Sequence, residues 1–300
     1  MDPDGGRAFL RAIALRAPWR AGLFVVAMVL GLEMAMRPVG WLSARGLLAS
    51  RQSWMVATHA AALLSALLPT LLASVLEGRP LSEYGLSAGA GSVLRFAEGV
   101  AWGLATACLL AGILQLGGFV AFTAVAGPPA WRSGALWAVA LSTLAVFREL
   151  AARGYLQSLL ARSLGFWPAA SMLTGLFAAE SLLNAANRSV LALANVVAAS
   201  MLACLGLRLT GSVWFAAGLG AASRWSLVFL CGFPLSFTPT PPPGTLHSAV
   251  VKGASWITGG PDGPEGGALN LVTSLWIALA LGARFRRRTE SPRSVETNRT

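Results

Sequence analysis

The side chains with the greatest chemical potential in this chain lie at residues 148–154, Arg-Glu-Leu-Ala-Ala-Arg-Gly, inside a strongly apolar part of the sequence. Glu149 offers a carboxylate, which accepts hydrogen bonds and binds cations, and an arginine lies on either side of it. A charge inside a hydrophobic span costs about 2.5–3.5 kcal/mol on insertion scales, so such charges face one another or a polar cavity. The stretch therefore predicts a buried polar site built on Arg148, Glu149 and Arg153.

The composition predicts the kind of protein that must position this site. Of the 300 residues, 55% are hydrophobic and 12% are charged, and the mean hydropathy is +0.64. A soluble domain carries about 25% charged residues, so this chain has roughly half of the usual supply. The sequence therefore predicts an all-α fold, a polytopic membrane helix bundle.

The net charge of +11 indicates which partners to expect. In a soluble protein a pI of about 11.4 would suggest nucleic acid. Here the arginines flank the hydrophobic segments, so we expect a lipid bilayer with anionic headgroups and no nucleic acid. A membrane protein or peptide partner is also compatible with this pattern. The three cysteines lie far apart without a C-x-x-C pair, which predicts neither a disulfide framework nor a thiolate metal site.

Eight apolar segments are long enough to cross a bilayer, which takes about 20 residues. They lie near 21–41, 54–75, 96–122, 133–152, 166–184, 189–207, 212–232 and 267–284. The fourth is expected to continue as a helix past the charged stretch toward Leu160. The predicted organisation is a basic arm over 1–20, an integral membrane bundle over 21–284 and a basic, disordered tail over 285–300.

The arginines also predict the orientation of the bundle. An even number of spans places both termini on one side, and arginines cluster in the N-terminal arm and directly after the last span. The same side receives Arg79, Arg153, Arg162 and Arg208, whereas the other side receives fewer basic residues. Because basic residues accumulate in cytoplasmic loops, we expect a multi-pass protein of the plasma membrane with both termini in the cytoplasm.

One long connection, residues 233–266, is rich in proline and glycine. Such a composition breaks helices and favours tight turns. Loops of this length are usually functional or disordered. Trp256 and the apolar residues 249–251 favour a re-entrant or interface-hugging loop over a merely flexible connector.

Three short motifs follow one another in the second half of the chain. They are Arg148-Glu149-x-x-x-Arg153-Gly154, then Phe177-Ala-Ala-Glu180-Ser181, then Thr210-Gly211-Ser212-Val213-Trp214 followed by Gly220-Ala-Ala-Ser223-Arg224. In order and spacing they resemble the motifs of the CPBP family of intramembrane proteases, which includes CAAX prenyl endopeptidases and Abi proteins. Those motifs read Glu-Glu-x-x-x-Arg-Gly, Phe-x-x-x-His, and Thr-Gly-Ser-x-Trp with His-x-x-x-Asn. The resemblance covers about residues 79–280 and implies a CAAX-protease-like core.

The positions that would carry the family's chemistry are substituted. In the family the first Glu and the following His activate water, with a metal proposed, and the later His and Asn help to bind the reacting carbonyl. This chain has Arg148, Ser181, Gly220 and Arg224 at those four positions, and only Glu149 and Arg153 match. A guanidinium cannot act as a general base near neutral pH. We therefore expect a proteolytically inactive relative with no metal and no cofactor, acting as a binding, scaffold or regulatory membrane protein.

Two further readings stay open. An atypical endopeptidase could use Glu149 and Glu180, with zinc as its cofactor, although Glu180 precedes the lost histidine by one residue and a helix turns by about 100° per residue. The two histidines of the chain, His59 and His247, occupy no motif position. A small transporter would fit intramembrane charges, but the sequence has no internal repeat or paired broken helices to indicate one.

The charged residues themselves permit two interpretations. In the first, an inert ion-pair network joins the three arginines Arg148, Arg153 and Arg224 to Glu149 and Glu180. In the second, these five residues line a pocket whose surplus positive charge binds an anion such as a carboxylate or a lipid phosphate. In either case Arg148 is expected to pair with Glu180 or Glu149, the carboxylates nearest in sequence.

Overall fold

The computed structural model describes residues 17–125, 131–183, 189–234 and 244–290. Its helices are α1 (Ala17–Ala44), α2 (Arg51–Glu77), α3 (Ala90–Leu116), α4 (Trp131–Glu149), α5 (Tyr155–Leu164), α6 (Phe166–Leu183), α7 (Val190–Thr210), α8 (Val213–Trp225), α9 (Ser255–Thr258) and α10 (Ala268–Glu290). Two short strands, β1 (Val120–Ala124) and β2 (His247–Val251), pair with each other. The predicted all-α bundle is confirmed, with this small ribbon as an addition.

Seven helical segments of the described chain are long and apolar enough to cross a membrane. They are Trp19–Ala44, Arg51–Glu77, Ala90–Leu116, Trp131–Leu164, Val190–Thr210, Val213–Leu230 and Ala268–Phe285. The predicted segment at 166–184 corresponds to α6, a helix of 18 residues that contains Pro168 and Glu180 and does not belong to these seven. The chain is an integral membrane protein by this criterion. Residues 1–16 and 291–300, which include most of the predicted arm and tail, lie outside the described part.

The third span ends earlier than predicted. The sequence suggested helix over 96–122, but α3 ends at Leu116 and residues 120–124 form β1. Gly118 has φ +72°, a left-handed conformation that stops the helix without the steric penalty of a side chain. The following Phe-Val-Ala-Phe-Thr run is rich in aromatic and β-branched residues, which favour strands.

The helix that carries the charged stretch does continue past it, as predicted. α4 and α5 form one helical segment, Trp131–Leu164, and a π-helical turn at Leu150–Gly154 joins them. A π turn adds a residue to the helical repeat and commonly occurs at functional sites. A second π turn, Ser226–Leu230, follows α8 directly. Both π turns therefore lie beside arginines that the sequence marked as site residues.

The closest helix contact in the bundle joins α3 and α8 through glycines. A Cβ atom built on Gly99 would overlap the carbonyl oxygen of Phe215, and one on Gly218 would overlap the carbonyl oxygen of Phe96. Gly99 and Gly103 are four residues apart, the spacing of small residues that lets membrane helices approach to backbone distance. This contact fixes the position of α8, which supplies one wall of the cavity described below.

A second cluster of charges ties one end of the bundle together. The Glu77 carboxylate, at the end of α2, is within 3.6–3.8 Å of the guanidinium groups of Arg20, Arg79 and Arg162. Tyr155 donates a hydrogen bond to Glu77 at 2.7 Å, and Tyr84 donates another at 3.3 Å. These three arginines thus lie at one end of the bundle, as the alternation of spans predicts.

The described part of the Pro/Gly-rich loop packs onto the opposite end. β2 pairs antiparallel with β1, with Val120 opposite Val251 and Ala124 opposite His247. Beyond it, Pro264 and Gly266 are buried, and the Asn195 side chain donates a hydrogen bond to the Gly267 carbonyl at 2.9 Å. Residues 244–266 therefore cover the bundle instead of hanging free, while residues 235–243 lie outside the described part.

The α3–α8 contact gives a first stability prediction. Gly99→Ala should lower the thermal stability of the purified protein in detergent, because a methyl group placed against the Phe215 backbone forces the helices apart, at about 1–3 kcal/mol. Gly112→Ala is the matched control on the same helix, since nothing lies within 4 Å of its built Cβ. That variant should be neutral or more stable by up to about 1 kcal/mol. Equal effects of the two variants would show that the close contact does not hold.

The Glu77 cluster gives a second prediction. Glu77→Gln should cost about 3 kcal/mol, because Glu77 is a buried carboxylate that several arginines share. Glu83→Gln is the control: Glu83 also contacts Arg79 and Arg162, at 3.1 and 3.3 Å, but its side chain is 44% exposed. Exposed pairs contribute about 1 kcal/mol or less. Thermal unfolding in detergent measures both, and a larger loss for Glu83→Gln would contradict the assignment.

Candidate functional site

A cavity of about 130 Å³ lies inside the bundle, between α3, α4, α6, α7, α8 and α10. Its charged lining residues are Arg148, Glu149, Arg153, Arg224 and Glu265. The helices around the cavity are apolar elsewhere. The charged side chains face the interior because exposing charge to lipid is costly. Four of the five residues predicted to share a pocket, namely Arg148, Glu149, Arg153 and Arg224, line this one cavity.

Arg153 makes the most contacts in the site. Its Nη1 donates to Glu149 Oε1 at 2.7 Å, and its Nη2 donates to both the carbonyl and the hydroxyl oxygen of Ser200, at 2.9 and 2.8 Å. Its Nε lies 3.4 Å from the sulfur of Cys204. The Arg153 side chain is 4% exposed, so its guanidinium is a buried cation. Its N–H groups are bound by acceptors on α4 and α7.

Glu149 is only half satisfied by this arrangement. One carboxylate oxygen, Oε1, accepts from Arg153, while Oε2 is buried and accepts no hydrogen bond from the described chain. A buried acceptor without a donor costs about 1–3 kcal/mol. Arg153 therefore satisfies only one of the two oxygens of this buried carboxylate.

Arg148 has a different environment from its neighbour Arg153. Its guanidinium lies over the ring of Phe177, with Cζ 4.9 Å from the ring centroid. Arg153 approaches the same ring at 5.7 Å. In the described chain no carboxylate is within ion-pair distance of Arg148, and the acids that act on it electrostatically are Glu180 and Glu149. The Phe177 ring thus holds two guanidinium groups at the edge of the cavity by cation–π attraction.

Arg224 closes the cavity on the side of the long loop. Its Nε is 3.6 Å from Glu265 Oε1, and the two side chains are 23% and 30% exposed. The Asn270 amide donates to the Glu265 carbonyl at 3.3 Å and to the Asn195 side-chain oxygen at 2.9 Å. The loop 244–266 is therefore joined to α8, α7 and α10 by polar contacts at the mouth of the cavity.

Two of the predicted site residues do not line the cavity. Glu180 is exposed, and Ser181, the next residue, is buried on a different face of α6. This difference follows from the turn of about 100° per residue in a helix. The predicted pairing of Arg148 with Glu180 or Glu149 was wrong: Glu149 binds Arg153, and Arg148 lies on Phe177. Gly220, in contrast, lines the cavity, and only Ala145 comes near its built Cβ, at 4.0 Å.

Several residues of the site were missed by the sequence analysis. Ser200 and Cys204 hold Arg153, and Thr174 shares a hydrogen bond with Ser200 at 2.9 Å. Asn195 and Asn270 organise the mouth of the cavity. The available signal was the presence of amide side chains within otherwise apolar spans, since polar groups there usually pair with one another or face a cavity.

The cavity does not offer a zinc site. Zinc is held by three or four converging His, Cys or carboxylate ligands. Among the described residues no group of three such side chains converges. The two carboxylates of the cavity each face a guanidinium, and His59 and His247 hydrogen-bond to the carbonyls of Ala140 and Leu230. The residues present therefore fit an anion better than a cation.

The start of α8, which carries part of the third motif, contacts the turn at Gly85–Ser87 at the end of the bundle opposite the long loop. The Val213 N–H donates to the Gly85 carbonyl at 3.1 Å, and the Trp214 indole donates to the Ser87 carbonyl at 2.9 Å.

No protein-family model matches the sequence, and comparison with curated proteins gives no match. Function is therefore inferred from the cavity residues and from the resemblance of the motifs.

The Arg153 contacts predict that replacing Arg153 destabilises the protein more than replacing Arg148 does. Arg153→Leu should cost about 3–5 kcal/mol, because it leaves the Glu149 carboxylate buried without its partner. Arg148→Leu is the matched control, a neighbouring arginine without an ion pair in the described chain, and should cost less than half as much. Adding Glu149→Gln to Arg153→Leu should recover part of the loss. Unfolding in detergent measures all three, and equal losses for the two single variants would contradict the assignment.

Proposed function

We propose that this integral membrane protein has a CPBP-like core whose protease site has become a binding site. In this proposal it is a multi-pass protein of the plasma membrane with cytoplasmic termini, and it acts as a binding, scaffold or regulatory protein. The observation that carries the proposal is the lining of the cavity: three guanidinium groups, two carboxylates that face them, and no imidazole. Such a lining binds a negatively charged group and has no obvious means to activate water.

The substituted motif positions support loss of hydrolysis. Arg148 and Arg224 replace the carboxylate and the asparagine of the family pattern, and both line the cavity with a permanent positive charge. Gly220 replaces a histidine at a point where the cavity has room for a side chain. Their common position at the cavity supports the proposed resemblance, and in this proposal their chemistry has changed from proton transfer to charge recognition.

The arrangement of basic residues supports the proposed orientation. Arg20, Arg79 and Arg162 meet at Glu77, and Arg284 lies 3.1 Å from Glu98 near the start of α3. Basic residues collected at one end of a bundle favour the cytoplasmic side for that end. The cavity mouth at Glu265 then faces the opposite side of the membrane.

An atypical endopeptidase is the second candidate, and one observation favours it. Glu149 matches the family motif and lines the cavity, and its Oε2 accepts no hydrogen bond from the described chain. Its proposed partner, Glu180, is exposed and does not line the cavity. One carboxylate, bound to Arg153 through its other oxygen, makes a poorer hydrolytic site than a converging pair.

A cleavage assay separates the two candidates. The purified full chain is incubated with a prenylated peptide and with a transmembrane peptide, with and without chelator, and its metal content is measured. We expect no cleavage and no stoichiometric zinc, because the cavity has no water-activating pair. Chelator-sensitive cleavage that Glu149→Gln abolishes, and that the control Glu83→Gln preserves, would overturn the proposal in favour of the endopeptidase.

A further inference from the structure

A second cavity adjoins the arginine cavity and differs from it in chemistry. It has a volume of about 300 Å³ and lies between α6, α7 and α10. Its lining is apolar apart from Ser274, and Met201, Leu205 and Leu271 form much of its wall. We call it the apolar groove. Leu202 and Ser274 line both spaces, so the charged cavity and the apolar groove are adjacent.

We propose that the two spaces together bind one anionic phospholipid, with the phosphate among the arginines and an acyl chain in the groove. This inference rests on the proposed binding function and names its ligand class. The juxtaposition that carries it is a cationic, polar cavity directly beside an apolar groove within a membrane protein. A single amphiphile complements both parts.

The charges of the cavity select an anion. Arg148, Arg153 and Arg224 face Glu149 and Glu265, which leaves one positive charge in excess. Glu149 binds Arg153, and Glu265 lies beside Arg224, so the remaining cation is Arg148. Guanidinium groups bind phosphate oxygens through paired hydrogen bonds, and the low dielectric of a membrane interior strengthens that attraction.

The groove has the shape and surroundings for an acyl chain. It follows α7 from Ala198 to Leu205, a length of about 10 Å at 1.5 Å per residue. On its outer side Leu275 and Trp167 are 61% and 48% exposed, so the groove is open toward the surface that contacts lipid. A chain can therefore enter from the bilayer while its headgroup turns inward past Ser274.

Binding of defined lipids to the purified full chain tests the proposal. Dioleoyl phosphatidylglycerol, the zwitterionic dioleoyl phosphatidylcholine and inorganic phosphate are each titrated in detergent, with complexes counted by native mass spectrometry. We expect the anionic lipid to bind at least about 10-fold more tightly than the zwitterionic lipid, a difference typical of one charge-assisted interaction. Inorganic phosphate should bind more weakly than the anionic lipid, since it gains nothing from the groove.

Variants separate the headgroup site from general charge effects. Arg148→Gln should weaken phosphatidylglycerol binding by about 10-fold or more. Arg45→Gln removes the same charge from a residue that lies over Trp41, 3.9 Å from the ring centroid, and should leave binding unchanged. Equal losses in both variants would show nonspecific attraction to anionic lipid and overturn the proposal.

A space-filling variant keeps the test decisive even where an arginine variant fails to fold. Gly220→Leu fills the cavity with every charge in place, because the built Cβ has open space toward the lumen. Gly175→Leu adds the same side chain at a glycine of α6 with nothing within 4 Å, and serves as control. We expect loss of phosphatidylglycerol binding in the first variant alone; retained binding there would overturn the proposal.

The outcomes are distinguishable from those of the cleavage assay. Equal affinity for the anionic and zwitterionic lipids would refute the role of the arginines, and equal affinity for inorganic phosphate would refute the role of the groove. Either result overturns the lipid assignment while leaving a noncatalytic binding protein. Peptide cleavage would instead overturn the proposed function itself.

Discussion

The buried guanidinium of Arg153 is the constraint on which the site depends. It cannot give up its charge, so every donor must find an acceptor inside the bundle. Glu149, Ser200 and Cys204 supply those acceptors from two helices, and the Phe177 ring supplies a face from a third. Packing of α4, α6 and α7 in this region is therefore dictated by one side chain, and the cavity is the space left beside it.

The other walls of the cavity follow from a different kind of contact. α8 approaches α3 to backbone distance because Gly99, Gly103 and Gly218 carry no side chain at the crossing. In a membrane the hydrophobic effect does not drive helices together, so close packing of this kind holds them instead. With α8 fixed in this way, Gly220 and Arg224 line the cavity, and the π turn after Trp225 leads into the segment before the long loop.

The sequence predicted the spans and most of the charged site because both follow from a local rule, the cost of placing charge in lipid. That rule predicts that Arg148 and Arg224 face the interior of the bundle, whichever side chains they contact there. It failed for the pairing of Arg148, since partner choice depends on helix rotation and on a π turn that changes the helical repeat. It also missed Ser200, whose role exists only once α7 packs beside Arg153, and β1, because a short apolar run fits a strand as well as a helix.

The incompleteness of the network argues for an occupant. A fully paired set of buried charges satisfies its own members and leaves nothing for a ligand. Here Arg148 has a ring but no carboxylate at ion-pair distance in the described chain. A bound anion supplies a counter-charge to this cation, and an apolar groove beside the cavity selects for an anion that the bilayer itself delivers.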